Sequence, residues 1–479
     1  MHYINILYFK LLLLVAVIST PQIMSSQITF QKVYPTTYDK TTKDIVATGD
    51  GYILAGVTNN SNITDCDLYV MKTDNNGNIV WEKTFGGTKP EYAYSMCETT
   101  DGKYLIVGYS QSFGGGDYDI YLVKIDGSGN KIWEKTYGGF GNDEGTGIVQ
   151  TNDGNYVIVG TTSSNTSSQD AFLMKVDGTG TVLWTKYYGG SNKEFGNALK
   201  QCSDNGFIFT GQTLSYGQGG DTYLVRTNSS GDTLWTKYFS DPLADEGVSV
   251  VENGDGTFTF AVRDSTAAKD IDLKIMKTDA SGNVVWTKTY GASQKDTPKT
   301  IASTSDGGYI VGAISRSFGW INPDMWLLKL NAAGDTTWSR HYGSSDHEHC
   351  HAAKQSADGG YLAIGHSSSY GPGQKIMFLK LNVTGNITVS VNESFPNNSV
   401  FNLFPNPVTD GIINLSFSTF EPCKIRICDV LGRNVYLENI EAITPDEIKI
   451  INLKSKLPGF YLLTIESQNS MVSGKFIIE

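Results

Sequence analysis

Basic side chains are in short supply: 37 Lys and Arg stand against 49 Asp and Glu in 479 residues, a net charge of −12. A nucleic-acid partner or an anionic membrane surface needs a basic face, so neither is expected. Charged residues reach only 18%, below the roughly 25% of an average globular chain, which argues against a charge-rich coil. The six cysteines are scattered. Cys66, Cys97, Cys202 and Cys350 show no disulfide-framework spacing, and there is no adjacent Cys-Cys pair. Cys423 and Cys428 would point to opposite faces of one extended strand. Single buried thiols are the expectation. No apolar run is long enough to cross a bilayer, and no G-x-S-x-G, Walker or G-x-G-x-x-G strand-turn-helix context occurs. What is present is 39% hydrophobic and 11% aromatic residues with 52 glycines, ample for a large core.

Residues 1–25 read as an export signal. Lys10 precedes the apolar run Leu11 to Ser19, and Ser25 and Ser26 offer a small-residue cleavage site. No cysteine lies near that point, which disfavours a lipid-anchored form. The remainder is expected to be a soluble, exported monomer.

Self-similarity decides the middle of the chain. Trp81, Trp133, Trp184, Trp235, Trp286 and Trp338 recur every 51 or 52 residues, and Tyr52, Tyr104, Tyr156, Phe207, Phe258, Tyr309 and Tyr361 keep the same step. Within one unit, 92–99, 103–110, 119–125 and 131–137 read as four strands, the middle two nearly continuous apolar runs. Asp-Gly joins the first two strands, as at Asp101-Gly102. Asp-x-x-Gly or Asn-x-x-Gly joins the last two, from Asp74–Gly77 to Asn382–Gly385, as tight hairpins require. Two or three possible ligands per turn fall short of the about six to eight that calcium takes. Seven four-stranded units define an all-β, seven-bladed β-propeller over residues 26–390. Phe30-Gln31-Lys32-Val33-Tyr34 follows the Trp-x-Lys-x-aromatic pattern of the outer strands. Residues 27–34 are therefore expected to complete the last blade and leave the ring no open edge.

After a linker at 391–399, residues 400–479 read as a small Ig-like β-sandwich: Ile425 and Ile427 alternate around Arg426, and Asp410-Gly411, Leu431-Gly432-Arg433 and Pro458-Gly459 supply turns. Pro405-Asn406-Pro407, the D-x-x-G-R turn from Asp429 through Gly432 to Arg433, Gly459 with Tyr461, and a terminal strand from Gly474 occur in order. In these motifs the segment resembles the C-terminal sorting domain of type IX secretion substrates in Bacteroidota. The resemblance implies the type IX machinery as partner, passage across the outer membrane, removal of the domain, and surface attachment or release. Phe404 stands where that family often has Tyr.

The repeats carry a second resemblance. Asp126 to Trp133 is similar to the repeat of PQQ-like propellers, one residue shorter. Tyr137-Gly138-Gly139, Asp143, Asp153-Gly154 and Val159-Gly160 look more like the bacterial β-propeller repeat of exported proteins. Both imply fold rather than activity.

Four loops between the second and third strands carry Ser-aromatic-Gly: Ser112-Phe113-Gly114, Ser215-Tyr216-Gly217, Ser317-Phe318-Gly319 and Ser369-Tyr370-Gly371, with Trp320 beside the third. Aromatic faces on variable loops suit sugars or peptide side chains, whereas rings tucked inward would only pin the loops. An acidic slot ten residues after each Trp holds Glu91, Asp143, Glu194, Asp245, Asp296 and Glu348. It is either an electronegative ring or, because it repeats in every blade, a structural pair with the Lys or Arg two residues after each Trp. Histidine breaks the symmetry: His341, His347, His349, His351 and His366 are all expected in the last blade. In an extended strand His347, His349 and His351 would share one side, where imidazoles could hold a divalent metal. No motif demands any other cofactor. Arg226, Arg263, Arg316 and Arg340 could serve a sialidase triad, but the Asp-box spacing is wrong. The chain thus reads as an exported binding or scaffold module for glycan or protein. The alternatives are a polysaccharide hydrolase or lyase with a metal-assisted site in the last blade, and a purely structural surface component.

Overall fold

The computed structural model describes residues 27–387, apart from 35, 60–65, 165, 218, 241–242, 266–270, 318–321, 344–345 and 370–372. It also describes residues 401–478, apart from 405–407, 409–410, 418–421, 430–432, 441–447, 457 and 468–470. The expected signal peptide and linker, Pro405, Asn406, Pro407 and Gly432 lie outside the described residues. The chain divides into two compact units, Met1–Asn386 and Ile387–Glu479. Among the described residues there is no helix, and none that could cross a membrane.

The first unit is a seven-bladed propeller of four-stranded antiparallel sheets. Blade two shows the plan: Glu91–Glu98 is innermost, followed outward by Tyr104–Ser110, Asp119–Ile125 and Lys131–Tyr137. Every residue of the third strand is buried, as expected for a strand covered on both faces. The outer strand shows its side chains half-buried or exposed. Every inner strand carries a bulge at the same place, between Ala93 and Ser95 in blade two and between Cys350 and Ala352 in blade seven. A bulge raises local twist, which turns each blade out of the plane of its neighbour.

Blades touch through side chains. Each apolar cluster spans two neighbours, as Ile53, Leu68 and Val70 of blade one meet Met96, Ile106 and Tyr121 of blade two. The outer aromatic then clamps the next blade's hairpin turn. Gly129 has φ 78°, and a Cβ there would lie 2.8 Å from the Trp81 ring. Only glycine meets both constraints. The indole N–H of Trp81 donates to the Gly127 carbonyl at 3.3 Å. Further along the outer strands, the Tyr137 hydroxyl reaches the Gly180 carbonyl at 2.5 Å and that of Tyr188 reaches Gly231 at 2.6 Å.

The first strand closes this ring. Phe30–Val33 pairs antiparallel with Lys375–Leu381, opposite Phe30↔Lys380 to Val33↔Met377, and completes blade seven as the sequence pattern implies. Phe30 takes the tryptophan's place: a Cβ on Gly77 of blade one would lie 2.7 Å from its ring. The Tyr34 hydroxyl donates to the Gly77 carbonyl at 2.8 Å.

A second repeated tie joins the first hairpin turn of each blade to its third strand. Asp50–Lys72, Asp153–Lys175, Asp204–Arg226, Asp306–Lys329 and Asp358–Lys380 bridge at 2.6–2.8 Å, with Asp255–Lys277 and Asp101–Lys124 looser at 3.4 and 3.8 Å. Of the two readings of the acidic slot, the structural one paired it with the outer-strand bases. Instead those bases reach the next blade's turn, Lys186 to Asp232 and Lys288 to Asp335.

The second unit holds two sheets, in agreement with a small β-sandwich. Phe401–Phe404, Ile412–Phe417 and Ile448–Asn452 form one; Asn434–Ile440, Cys423–Asp429, Gly459–Ser467 and Met471–Ile478 form the other. Ile425, Ile427, Leu463 and Phe476 make its core, where Tyr461 stacks on Phe476 at 5.6 Å. Arg433 donates its backbone N–H to the Asp429 carboxylate at 3.0 Å and its Nε–H at 2.7 Å, which is why that turn needs Asp and Arg. The six cysteines form no disulfide, and five are buried.

Phe30→Ala removes the ring that meets Phe378 edge-on at 4.9 Å and covers Gly77. A loss of about 3–5 kcal/mol, normal for a buried Phe, is expected by urea denaturation, together with early proteolysis of the freed N-terminal strand.

Candidate functional site

The acidic slot sits inside the blade junctions. Glu91 is wholly buried and accepts from the Ser110 hydroxyl at 2.6 Å, the Ser112 N–H at 3.1 Å and the Gly87 N–H at 2.8 Å. Glu194 receives the same three bonds from Thr213, Ser215 and Gly190. Asp143 is held by Thr162, Ser164 and Gly139, and Asp296 by Ser315, Ser317 and Ala292. Glu348 takes both hydroxyls, Ser367 and Ser369, at 2.5 Å, and Asp245 the Ser265 N–H at 3.1 Å. Glu91, Asp143, Glu194 and Asp296 thus each clasp two loops, and the Ser-aromatic-Gly serines Ser112, Ser215, Ser317 and Ser369 are donors to Glu91, Glu194, Asp296 and Glu348.

A second acid at the start of the third strand escaped the sequence reading: Asp67, Asp119, Asp170, Asp221, Asp272 and Asp324. It recurs about 27 residues after the first, and aligning the repeats on that spacing would have found it. At four junctions the two carboxylates face one another over a loop glycine, Gly86, Gly138, Gly189 or Gly343. A Cβ on Gly86 would lie 2.2 Å from Asp67 Oδ1 and 2.3 Å from Glu91 Oε2, and one on Gly343 would lie 1.9 Å from Asp324 Oδ1 and 2.8 Å from Glu348 Oε2. Burial, then like charge, raises the second acid's pKa: Asp119 facing Asp143, Asp170 facing Glu194, and Asp324 facing Glu348, the last to about 6. Asp245 rises to about 7, through burial and its contact with Asp264.

With their serines engaged, two loop aromatics are left outward. Phe113 is 37% exposed, its ring 5.7 Å from Tyr121. Tyr216, 39% exposed, stacks nearly parallel on Tyr238 at 5.6 Å. Tyr216 and Tyr238 share a cleft of about 380 Å³ with Tyr187, Tyr188 and Tyr223, built from the outer strand of blade three and the loop and outer strand of blade four. Phe318, Trp320 and Tyr370 lie outside the described residues.

The inner strands enclose a central cavity of about 280 Å³. One repeat position supplies a layer of its wall, and there the seven blades differ: Lys43, Tyr94, Thr146, Asn197, Val248, Lys299 and His351. Burial, then repulsion from Lys299, lowers the ammonium pKa of Lys43 to about 8, and burial, then repulsion from Arg263, lowers that of Lys299. Lys354 is neutralised by Asp44 at 2.7 Å.

The histidines regroup. His347 precedes the inner strand Glu348–Gln355, and its ring bonds Asp346 at 2.5 Å, so strand alternation does not bring it to His349 and His351. His366 takes its place, as the ladder partner of His349 on Tyr361–Ser367. Nitrogens of His349, His351 and His366 all lie within 4.8 Å of one another, a geometry able to hold a metal ion. Burial, with Lys43 and Lys299 adding to it, lowers the pKa of His349 to about 4, that of His366 to about 3 and that of His351 well below the usual value. All three are neutral near pH 7, with lone pairs available. His341 is not in the last blade as expected but on the outer strand of blade six, Thr336–Tyr342, stacked on Trp326 at 5.8 Å, because that strand pairs with Asp324–Leu330 of blade six.

Residues 402–479 match the family model of the secretion system C-terminal sorting domain. The C-terminal unit is a type IX sorting domain, and it marks the chain for secretion or the outer surface. The regulatory protein FlaEY of Caulobacter vibrioides is 22% identical over 281 residues, 49% of this chain. The match spans only 29% of that protein's length. Among solved structures, the WD40 domain of Neurospora crassa Pan2 is similar at TM-score 0.38 and 14% identity, over 59% of this chain and 74% of its own. The β-propeller domain of the Trilobed protease from Pyrococcus furiosus is similar at TM-score 0.41 and 8% identity, over 75% and 99%.

The carboxylates set a pH optimum for stability. Burial opposes the charge of Asp306 and Asp358, but hydrogen bonds from Lys329, Thr304 and the Gly308 N–H to the first, and from Lys380, Ser356 and Gln27 to the second, together hold both near 2. They therefore contribute stability that is present above about pH 4 and lost as pH falls through 2. Asp324 has the opposite sign. Its folded pKa exceeds the unfolded one, so the native state binds the extra proton and stability declines as pH rises from about 4 to about 6. Urea midpoints across that range should fall with pH in the wild type and fall less steeply in Asp324→Asn. Parallel profiles would contradict the assignment.

Proposed function

We propose that this chain is an exported propeller that binds an extracellular glycan at the tyrosine cleft between blades three and four. The supporting observation is the pairing of Tyr216 and Tyr238, two half-exposed rings stacked at 5.6 Å and 17° beside Tyr187. Flat aromatic faces cover the C–H faces of sugar rings, while tyrosine hydroxyls and Thr236 offer hydrogen bonds to their hydroxyls. A cleft of about 380 Å³ is within the usual range for small-ligand sites. Residues 1–25 serve as the export signal and are removed. The sorting domain delivers the propeller through the type IX machinery of a Bacteroidota cell and is cleaved, leaving a monomeric module at the surface or in the medium.

A second reading, a polysaccharide hydrolase or lyase acting at the last blade, draws on the three converging imidazoles. The two readings separate cleanly, because a binder leaves its glycan intact.

A glycan array probed with residues 26–395 tests the first. Tyr216→Ala and Tyr238→Ala should each weaken binding about tenfold, the loss of about 1.4 kcal/mol of stacking and buried area. Tyr38→Ala, exposed and remote in sequence, should leave it unchanged. Binding indifferent to both cleft variants, or no glycan bound, would refute the reading.

A further inference from the structure

Three imidazoles meet where blade seven faces the channel. His349 and His351 alternate along the inner strand, with Cys350 buried between them, and His366 comes from the neighbouring strand. His351 Nε2 stands 3.1 Å from His366 Nδ1, and the His349 ring centroid is 4.5 Å from that of His366. Nitrogens bound tetrahedrally at about 2.0–2.1 Å would lie about 3.4 Å apart. Side-chain rotations that move the nitrogens by about 1 Å close the trio from within 4.8 Å onto one ion.

We infer that His349, His351 and His366 hold one divalent transition metal ion on a tri-imidazole face open to the channel. The donor set selects the class. Three imidazoles suit zinc, cobalt, nickel or copper, while calcium and magnesium require oxygen ligands. The hydrogen bond between His351 and His366 uses nitrogens of two rings, whereas an ion engages all three. Lys43 and Lys299 line the cavity at the level of His351 on the two flanking blades. Two ammonium groups repel a bare dication and attract an anion. The fourth ligand is therefore an anion such as hydroxide, halide or a carboxylate, with the lysines beside it. This site is separate from the tyrosine cleft and stands or falls independently of glycan binding.

The test uses residues 26–479, stripped with chelator and titrated with cobalt(II) or zinc(II) alone. One ion per chain is expected by calorimetry, with a cobalt visible spectrum of tetrahedral or five-coordinate intensity that shifts on adding thiocyanate. His366→Ala and His349→Gln should each lower affinity by more than the ~10–100-fold of losing a mere supporting hydrogen bond. His347→Ala should change neither affinity nor spectrum. Circular dichroism and thermal melts of the variants separate ligand loss from unfolding. No stoichiometric site in the wild type overturns the inference. So does binding that survives in folded His366→Ala, or binding abolished in folded His347→Ala.

Discussion

An aromatic ring laid on the hairpin glycine of the following blade is the contact that makes seven separate sheets into one body. Among the described residues each four-stranded ladder stays within one blade. Isolated backbone bonds cross the junctions, such as Asp143 N–H to the Tyr118 carbonyl at 2.9 Å and Glu194 N–H to that of Gln169 at 2.7 Å, and side chains make the rest of the contact. Trp81 over Gly129, Trp184 over Gly231, Trp338 over Gly385 and finally Phe30 over Gly77 repeat one geometry around the ring. Each contact fixes two things at once. The glycine's positive φ sets the hairpin, and the indole above it sets the angle between blades. The tyrosine hydroxyls that reach the same glycine carbonyls add direction to what burial alone would leave free to slide.

Elements whose cause is local were legible in the sequence. The tryptophan step, the Asp-x-x-Gly hairpins and the tryptophan-like pattern around Phe30 each encode a feature within a few residues, and strands, turns and ring closure followed. The Asp429–Arg433 turn was legible for the same reason. Partnerships across the fold were not. Glu91 finds its donors 19 and 21 positions on, at Ser110 and Ser112, and Lys186 finds Asp232 in the next blade. Period-two alternation located His349 and His351. It placed His347 beside them because the strand was taken to begin one residue early, and it could not reach His366, whose position depends on ladder register.

Repetition also separates scaffold from chemistry. Positions that repeat around the ring, such as the clasping acid of blades two to seven and the turn Asp bridged to a third-strand base in all seven, are bound up in the fold's own hydrogen bonds and ion pairs. The inner-strand layer from Lys43 to His351 is different. The backbone there repeats, bulge included, while the side chains span ammonium, phenol, hydroxyl, amide, alkyl and imidazole. A layer that closure does not constrain is free to diverge, and in this chain it gathers cations and imidazoles on blades six, seven and one.

Closing the ring with its first strand sets the order of events during synthesis. Gln27 bonds a carbonyl 331 positions later, at Asp358. At a ribosomal pace of about 5–20 residues per second, the leading strand waits roughly 20 to 70 s for its partner to emerge. For that interval the growing chain is an unclosed arc whose leading strand has no partner. A holding factor that keeps short extended segments from pairing elsewhere would find its natural client in residues 27–34.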